Sequence, residues 1–574
     1  MSNLSQIKRQ EMLDYIHQLK EIHSDDESII ALNSIENALT EKKYGLVWEE
    51  HSENVDEMLE YNIPVFTEKY NKKIGFDPNK GYNFLLEGDN LHSLKLLSKT
   101  HKEKIDVIYI DPPYNLGKDD FSYNDTYIDE DDGYKHSKWL SFMNRRLRLA
   151  YNLLNDTGFI AISIDEVEFA QLKLLCDEIF GEDNLMSNHH IQVRYANKSL
   201  NEKNDWQPLM EYVLIYAKNR FKFKANLPYK EYDLGKFVFE FETGSPDEVV
   251  TLGNKKVEIF KDGNWKVKKR KKGQIGLLKE TWASGSVLTG NTSGKFFDQQ
   301  ISPRKQVDGL KTLYKVYGIG EDGIGYRYFT GPQRANATRG KFYSGVPLIR
   351  VDELENDGES KKYNPIINFY DFSSEFGNIR HEGSVPFNNG KKPISLIQQL
   401  INYHKGKDIL VLDFFAGSGS TGHAVMQQNK DDGGDRKYIL CTNNENLICE
   451  KITYKRLTNV QKELPHNLKY YKTNFIPKMS EEDQSIREQM IKTIKPLIEL
   501  ENHIEIDNEN NIIINNEDLL LEHLNNAIDG INIYITSDIM LSQEEKAIAD
   551  RKNIKLIEIP EYYYRSELRE VGEI

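Results

Sequence analysis

Asp111-Pro112-Pro113-Tyr114 sets a carboxylate, two ring-locked residues and an aromatic side by side. The prolines fix φ and carry no N–H, so the Asp111 side chain and the Pro112 carbonyl are held as acceptors, with the flat face of Tyr114 beside them. Two acceptors and a stacking ring suit a planar exocyclic amine such as that of adenine. Taken alone, the run also reads as an ordinary Pro-rich turn. It follows Ile105-Asp106-Val107-Ile108-Tyr109-Ile110, whose β-branched and aromatic content predicts a buried parallel strand. The shelf therefore belongs at a strand's carboxyl end.

A second run, Asp413-Phe414-Phe415-Ala416-Gly417-Ser418-Gly419-Ser420-Thr421-Gly422, follows the predicted strand 409–413 and opens a helix through Ala424 and Val425. Its glycines let the backbone pass close to a ligand, and the helix start offers free N–H groups. Gly417, Gly419 and Gly422 also satisfy the dinucleotide fingerprint G-x-G-x-x-G, with Glu445 lying 28 residues past Gly417. A nicotinamide-dependent oxidoreductase is thus a rival. Two features favour S-adenosylmethionine. Asp413-x-Phe415 places a carboxylate where it would pair with a cationic amino group and repel a pyrophosphate, and the shelf has no role in hydride transfer.

The elements that must position these runs alternate between strand and helix. Leu85-Leu86-Glu87-Gly88-Asp89-Asn90-Leu91 reads as a strand, a turn and a helix cap, with Asp89 a natural N-cap. A helix from Trp139 to Leu154 carries Leu140, Met143, Leu147 and Leu154 on one face. Gly158 to Ile164 reads as a further buried strand, and a helix over about 166–180 ends before Gly181. This alternation predicts a doubly wound, mostly parallel α/β sheet. From about 185 to 385 the chain turns to Gly, Tyr, Lys and Arg in short alternating segments. That texture predicts a loop-rich, mostly β insertion between the two motifs. Residues 1–62 read as polar helices, 63–184 and 386–476 as the two halves of the catalytic domain, and 477–574 as a small acidic α/β domain.

The chain has 574 residues with a net charge of −15, unevenly spread. Residues 251–350 hold 20 Lys+Arg against 7 Asp+Glu, a net of +13, whereas residues 481–574 hold 9 against 22, a net of −13. The first region could meet a polyanion and the second would be repelled by one. Lys266, Lys268, Lys269, Arg270, Lys271 and Lys272 concentrate the positive charge and suit phosphate contacts, although a solvated hairpin would look the same. Arg304, Gln333, Arg334, Asn336 and Arg339 have side chains able to read base edges. Cys176, Cys441 and Cys449 are too few and scattered for a disulfide framework or zinc cluster, and no metal is called for. With no signal-like start and no apolar run approaching a membrane span, a cytoplasmic location is expected.

Asp-Pro-Pro-Tyr together with Phe415-x-Gly417-x-Gly419 resembles the amino-methyltransferases of DNA. The shelf precedes the glycine loop by some 300 residues, and this permuted order resembles their β class. Further segments resemble the modification (Mod) subunit of type III restriction–modification systems: Glu87 to Asn90, the helix from Trp139, Gly158 to Asp165, Glu211 to Lys218, and Lys392-Pro393. The resemblance implies a Rossmann-like methyltransferase fold with an inserted target-recognition domain. It implies S-adenosylmethionine lying along Asp413, Phe415, Gly417 and Gly419, with Asp89 near its adenine and Lys392 and Pro393 flanking its methionine end. The strand after the glycine loop ends in Thr442-Asn443-Asn444-Glu445 in place of a plain acidic tip, so Asn443, Asn444 and Glu445 all remain candidates for the ribose. The target implied is the N6 amine of a flipped adenine, because Asp stands at 111. N4-cytosine transfer and a catalytically idle DNA-binding subunit are the alternatives. Duplex DNA, a second copy and a Res helicase–nuclease are the partners implied, with residues 1–60 and the acidic tail as docking segments.

Overall fold

The computed structural model describes residues 4–23, 25–40, 48, 51–77, 80–116, 135–197, 205–283, 292–334, 340–385, 391–479 and 484–574. The chain forms two compact units, Met1–Asn226 with Ile367–Ile574, and Leu227–Ile366.

The first unit is built on a ten-stranded sheet. Its strands in chain order are β1 (Asn62–Glu68), β2 (Asn83–Glu87), β3 (Ile105–Ile110), β4 (Leu154–Ile164), β5 (Leu185–Gln192), β6 (Met210–Ala217), β7 (Phe369–Asp371), β8 (Leu410–Asp413), β9 (Lys437–Thr442) and β10 (Leu468–Pro477). Across the sheet they run β1-β10-β2-β9-β8-β3-β4-β6-β5-β7. The central six, β10 through β4, are all parallel. β1 pairs antiparallel with β10, and β6 pairs antiparallel with both β4 and β5. The central strands are apolar almost throughout because helices cover both faces. Ile105, Val107, Ile108, Ile110, Val411 and Leu412 are fully buried. The helix Lys135–Leu153 buries Leu140, Met143 and Leu147 of the expected stripe and Trp139 beside them, while Leu154, expected on the same helix face, opens β4.

β3 and β8 are neighbours, with Val107 opposite Val411 and Ile108 opposite Leu412. From β3 the chain passes through Lys135–Leu153 to β4 on one side; from β8 it passes through Ser420–Asp432 to β9 on the other. Connections that diverge from adjacent parallel strands leave a crevice outside their carboxyl ends, the usual ligand position in such sheets. Both sequence motifs sit at the lip of this crevice.

The insertion expected over 185–385 is narrower in the structure. β5, β6 and β7 belong to the main sheet, and the separate unit runs from Leu227 to Ile366. This second unit is an eight-stranded antiparallel sheet. The order across it is Trp265–Lys269, Phe237–Thr243, Leu278–Ala283, Gly340–Ser344, Tyr326–Thr330, Leu313–Tyr317, Lys255–Phe260 and Glu248–Leu252. Alternating side chains feed two cores. Tyr314, Val316 and Phe329 pack with Phe296, Phe297 and Ile301, while Leu313, Tyr328 and Tyr343 pack with Phe260 and Leu278.

The tail expected as a separate domain over 477–574 is divided. Met490, Leu497, Leu500, Tyr563 and Leu568 join the core of the main sheet. The parallel strands Asn511–Ile514, Asn532–Ile535 and Lys555–Glu558 form a small sheet with its own core around Leu520, Leu524 and Ile533. At the N-terminal end, the helix Asn54–Tyr61 leads directly into β1. No helix among the described residues is long and apolar enough to cross a membrane.

Candidate active site

The shelf leaves β3 at Asp111 and is fixed from below. The Trp139 indole donates to the Pro113 carbonyl at 2.7 Å, which separates the roles of the two proline carbonyls. Asn115 then turns the chain with φ +65°, a conformation its short amide side chain tolerates, and that side chain donates to buried Glu168 at 2.6 Å. Behind the strand, Tyr109 and Ser163 share a hydrogen bond at 3.0 Å.

Asp111 is not alone at the shelf. Its Oδ1 accepts from the Tyr114 hydroxyl at 2.8 Å and lies 3.2 Å from the Lys392 ammonium. Lys392 also donates to the Tyr114 oxygen at 2.6 Å and to Glu211 Oε2 at 2.8 Å, and it lies 4.8 Å from the centre of the Tyr114 ring. Glu211 stands at the start of β6, which the antiparallel pairing brings beside β4. Glu211 lies in one of the segments that resemble Mod subunits but has no role assigned from sequence; its signal there is a carboxylate near the start of an otherwise apolar strand. Lys392, expected along the methionine end of the cofactor, turns its charged end to the shelf. Pro393 is buried and caps the helix Ile394–Ile401. Burial pushes the Asp111 carboxyl up, and the nearby Glu211 adds to this while Lys392 opposes it. Burial pulls the Lys392 ammonium down, but Asp111 and Glu211 outweigh it and hold the group above the usual lysine range.

The glycine loop leaves β8 at Asp413. The Phe415 N–H donates to Asp413 Oδ1 at 2.9 Å, and the Thr421 hydroxyl donates to Oδ2, so the carboxylate closes the loop on itself. Gly417 and Gly419 have φ of +46° and +76°, which favour glycine. A Cβ at Gly419 would press on Thr453 at 3.1 Å, whereas one at Gly417 would meet nothing closer than the Phe415 carbonyl at 3.8 Å. The backbone at Gly417 thus borders open space, a cradle suited to a ligand's close approach. Fully buried Arg456 braces the loop, donating to Ser420 Oγ at 2.8 Å and Ser418 Oγ at 3.2 Å and pairing with Glu382 at 2.9 Å.

Burial lifts the Asp413 carboxyl to about 7, against the pull of its two hydrogen bonds. A carboxyl raised in the folded state stabilises the fold fully below its unfolded value near 4, and that contribution is lost as pH rises to about 7. Asp413→Asn should remove this dependence. In thermal scans without ligand, wild type should lose stability relative to the variant from about pH 4 to about pH 7, by up to the order of 4 kcal/mol, with a constant offset above. A relative stability that did not change with pH would refute the assignment.

Asp89 caps the helix Asn90–Thr100, accepting from the Leu91 N–H at 2.8 Å. Its neighbour Asn90 donates to the Phe414 carbonyl at 2.8 Å, tying that cap to the glycine loop. Both are held by fully buried Arg146, which reaches Asn90 Oδ1 at 2.5 Å, Asp89 at 3.2 Å and Glu53 at 2.9 Å. Arg146 carried no signal in the sequence beyond a place on a helix. Beyond β9, Asn444 is engaged in structure, donating to Glu87 at 3.4 Å and accepting from the Glu450 N–H at 3.2 Å. Asn443 is half-buried and Glu445 is exposed. No group of three or more His, Cys, Asp or Glu side chains is placed to hold a metal among the described residues.

In the second unit the basic run lies on the edge strand Trp265–Lys269 and the turn after it. Lys268 pairs with Glu242 across the strands, and Arg270 pairs with Glu240 at 2.6 Å. The Lys269 ammonium lies 5.8 Å from the Phe239 ring. Lys266, Lys271 and Lys272 are exposed. Arg304 makes a fork to Asp308 at 2.6 and 2.9 Å, so its guanidinium is committed inside the unit. Gln333 and Arg334 are exposed, while Asn336 and Arg339 lie outside the described residues.

Residues 105–455 match the DNA methylase family, and the chain belongs to that family. The StyLTI Mod subunit of a type III restriction–modification enzyme from Salmonella typhimurium is 32% identical over 412 residues, covering 67% of this chain and 56% of that one. The type II methyltransferase M.KpnI of Klebsiella pneumoniae is 34% identical over 373 residues, covering 64% of this chain and 82% of that one. The EcoPI Mod subunit from Escherichia phage P1 is 29% identical over 416 residues, covering 65% and 59%. The chain therefore spans under two thirds of the length of either Mod subunit.

Proposed function

We propose that this chain moves a methyl group from S-adenosylmethionine to the N6 amine of an adenine in duplex DNA, as the modification and specificity subunit of a type III restriction–modification system. One observation carries the reading: two motifs some 300 residues apart meet at the carboxyl ends of adjacent parallel strands. The shelf and the cradle share one crevice. A dinucleotide-binding oxidoreductase would explain the glycine loop but not the shelf beside it. Calorimetry with S-adenosylmethionine and with NAD separates the two; binding of NAD alone would reject the proposal.

The cofactor would rest on Asp413, Phe415, Gly417 and Gly419, where the open space over Gly417 admits it, with Asp89 and one of Asn443, Asn444 and Glu445 at the nucleoside. When bound, S-adenosylmethionine supplies an electrophilic methyl group. A paired adenine amine is buried in the helix, so the base must be extruded, at a few kcal/mol. Stacking on Tyr114 returns about 1–3 kcal/mol of that. Asp111 and the Pro112 carbonyl accept the two amine hydrogens and aim the nitrogen lone pair into the crevice. Pro113, its carbonyl held by Trp139, keeps the shelf rigid. One amine hydrogen leaves as a proton when the N–C bond forms and the S–CH3 bond breaks to the neutral thioether, with Asp111 as its nearest acceptor; the remaining work is positioning and a preorganised field.

The second unit would carry the duplex, since the +13 region falls largely within it. Lys266, Lys271 and Lys272 suit phosphate contact better than Lys268 and Arg270, whose charges are paired. Replacing those three lysines by alanine should reduce the slope of log affinity against log salt by up to about 3 and leave the methylated sequence unchanged. An unchanged slope would remove this surface from the interface. The acidic tail exposes Glu517, Asp518 and Glu522 on one helix, a surface suited to a protein partner such as Res or a second copy and unsuited to DNA. Light scattering of the chain alone and with Res tests this; a monomer that leaves Res free would refute it.

A further inference from the structure

Two donors converge on Asp111 Oδ1, the Tyr114 hydroxyl at 2.8 Å and the Lys392 ammonium at 3.2 Å. Both also reach a second acceptor, Glu211 Oε2, at 3.2 and 2.8 Å respectively. Glu211 therefore duplicates the acceptor that the target amine needs. Lys392 is only 6% exposed, so its charge has no bulk water to retreat to.

We propose that Lys392 holds the seat of the target amine in the substrate-free enzyme, and that Glu211 is the positioning residue that takes it away. When the amine arrives at Asp111, the ammonium and the Tyr114 hydroxyl both pass to Glu211. Asp111 is freed to accept the amine, and the Tyr114 ring, anchored through its hydroxyl to Glu211, is left to stack on the base. The flexible lysine stem makes a shift of this size easy. Without Glu211 the ammonium could leave Asp111 only as an unpaired buried charge, which is strongly unfavourable. Lys392 would then stay in place and compete with the base. The inference rests on the proposed methyl transfer and adds to it a residue that governs base entry.

A double-mutant cycle of Glu211→Gln and Lys392→Met tests the coupling. Each protein is assayed for kcat and for KM on unmethylated DNA, and for cofactor affinity by calorimetry. Base entry is read without cofactor from the fluorescence of a 2-aminopurine placed beside the target adenine, which keeps its own N6 amine. Glu211→Gln should raise KM for DNA and lower base entry by roughly tenfold or more, with cofactor affinity within about twofold of wild type. In the Lys392→Met background the same change should move base entry and KM by less than about threefold, since no ammonium needs a new partner. Lys392→Gln replaces Lys392→Met if the latter does not fold. An equal penalty in both backgrounds, or no penalty in either, would overturn the inference. So would a Lys392 variant that binds cofactor but transfers nothing, because the lysine would then be a participant and not an occupant. A wild-type chain that methylates no DNA overturns the proposed function as well, whereas a failed cycle in an active enzyme overturns only this step.

Discussion

Asp111→Ala should transfer no measurable methyl group while binding S-adenosylmethionine as wild type does. The substitution removes one of the two acceptors proposed to orient the amine. Deleting a preorganised group that acts on the reacting atoms costs about 10²–10³-fold in kcat, and loss of the lone-pair alignment adds to that. The cofactor side is held separately, because the hydrogen bonds that shape the glycine loop run to Asp413, Thr421, Thr453, Arg456 and Asn90; Asp111 acts on it by charge, adding to the upward shift of Asp413. The fold should survive, since Lys392 keeps Glu211 at 2.8 Å. Filter-binding of labelled methyl groups into DNA, set beside calorimetric cofactor binding, checks both halves. A variant that lost cofactor affinity in step with turnover would show that the two motifs do not divide the work in this way.

Arg146→Met should be the most damaging substitution outside the shelf. The guanidinium is fully buried and joins Glu53, Asp89 and Asn90, with the Phe142 ring 3.7 Å from its carbon. Methionine fills a similar volume but takes the counter-charge from Asp89 and leaves Glu53 only the more distant Arg145, at 3.6 Å. Breaking such a pair from one side costs about 3–5 kcal/mol, on the order of 3–5 °C in Tm for a unit of this size. Cofactor affinity should fall too, because Asn90 loses its anchor and with it the bond to the Phe414 carbonyl. Saturating cofactor should therefore recover part of the lost Tm. A variant melting within about 2 °C of wild type would contradict the hub role given to Arg146.

The parts of the site legible in the sequence are those whose chemistry is local. Asp111 to Tyr114 and Asp413 to Gly422 announce themselves because prolines, glycines and carboxylates must stand at fixed offsets after a strand. Their meeting is a matter of strand order, which the resemblance to permuted methyltransferases implied and the pairing of β3 with β8 explains. Glu211 and Arg146 were not legible. Each reaches the site through tertiary placement, one from an antiparallel strand a hundred residues on, the other from the middle of a helix, where an arginine is usually solvated. The limits of the insertion were misplaced for a related reason. β5 carries Ser187, Asn188, His189, His190 and Gln192, and so shares the polar, alternating texture of the sheet that follows it. The acidic tail misled in the opposite sense, because its net charge hid Met490, Leu497 and Leu568, which complete the main core.

What the chain does to DNA in a cell is the most direct test of the proposed methyl transfer. Methylome sequencing of a methylation-free host carrying the wild-type gene, or the gene with Asp111→Ala, reads the modified base and its sequence context together. N6-methyladenine at one recurrent sequence with wild type, and none with the variant, is the expected result. Methylation that persists in the variant, modification on cytosine, or no modification by wild type would contradict it.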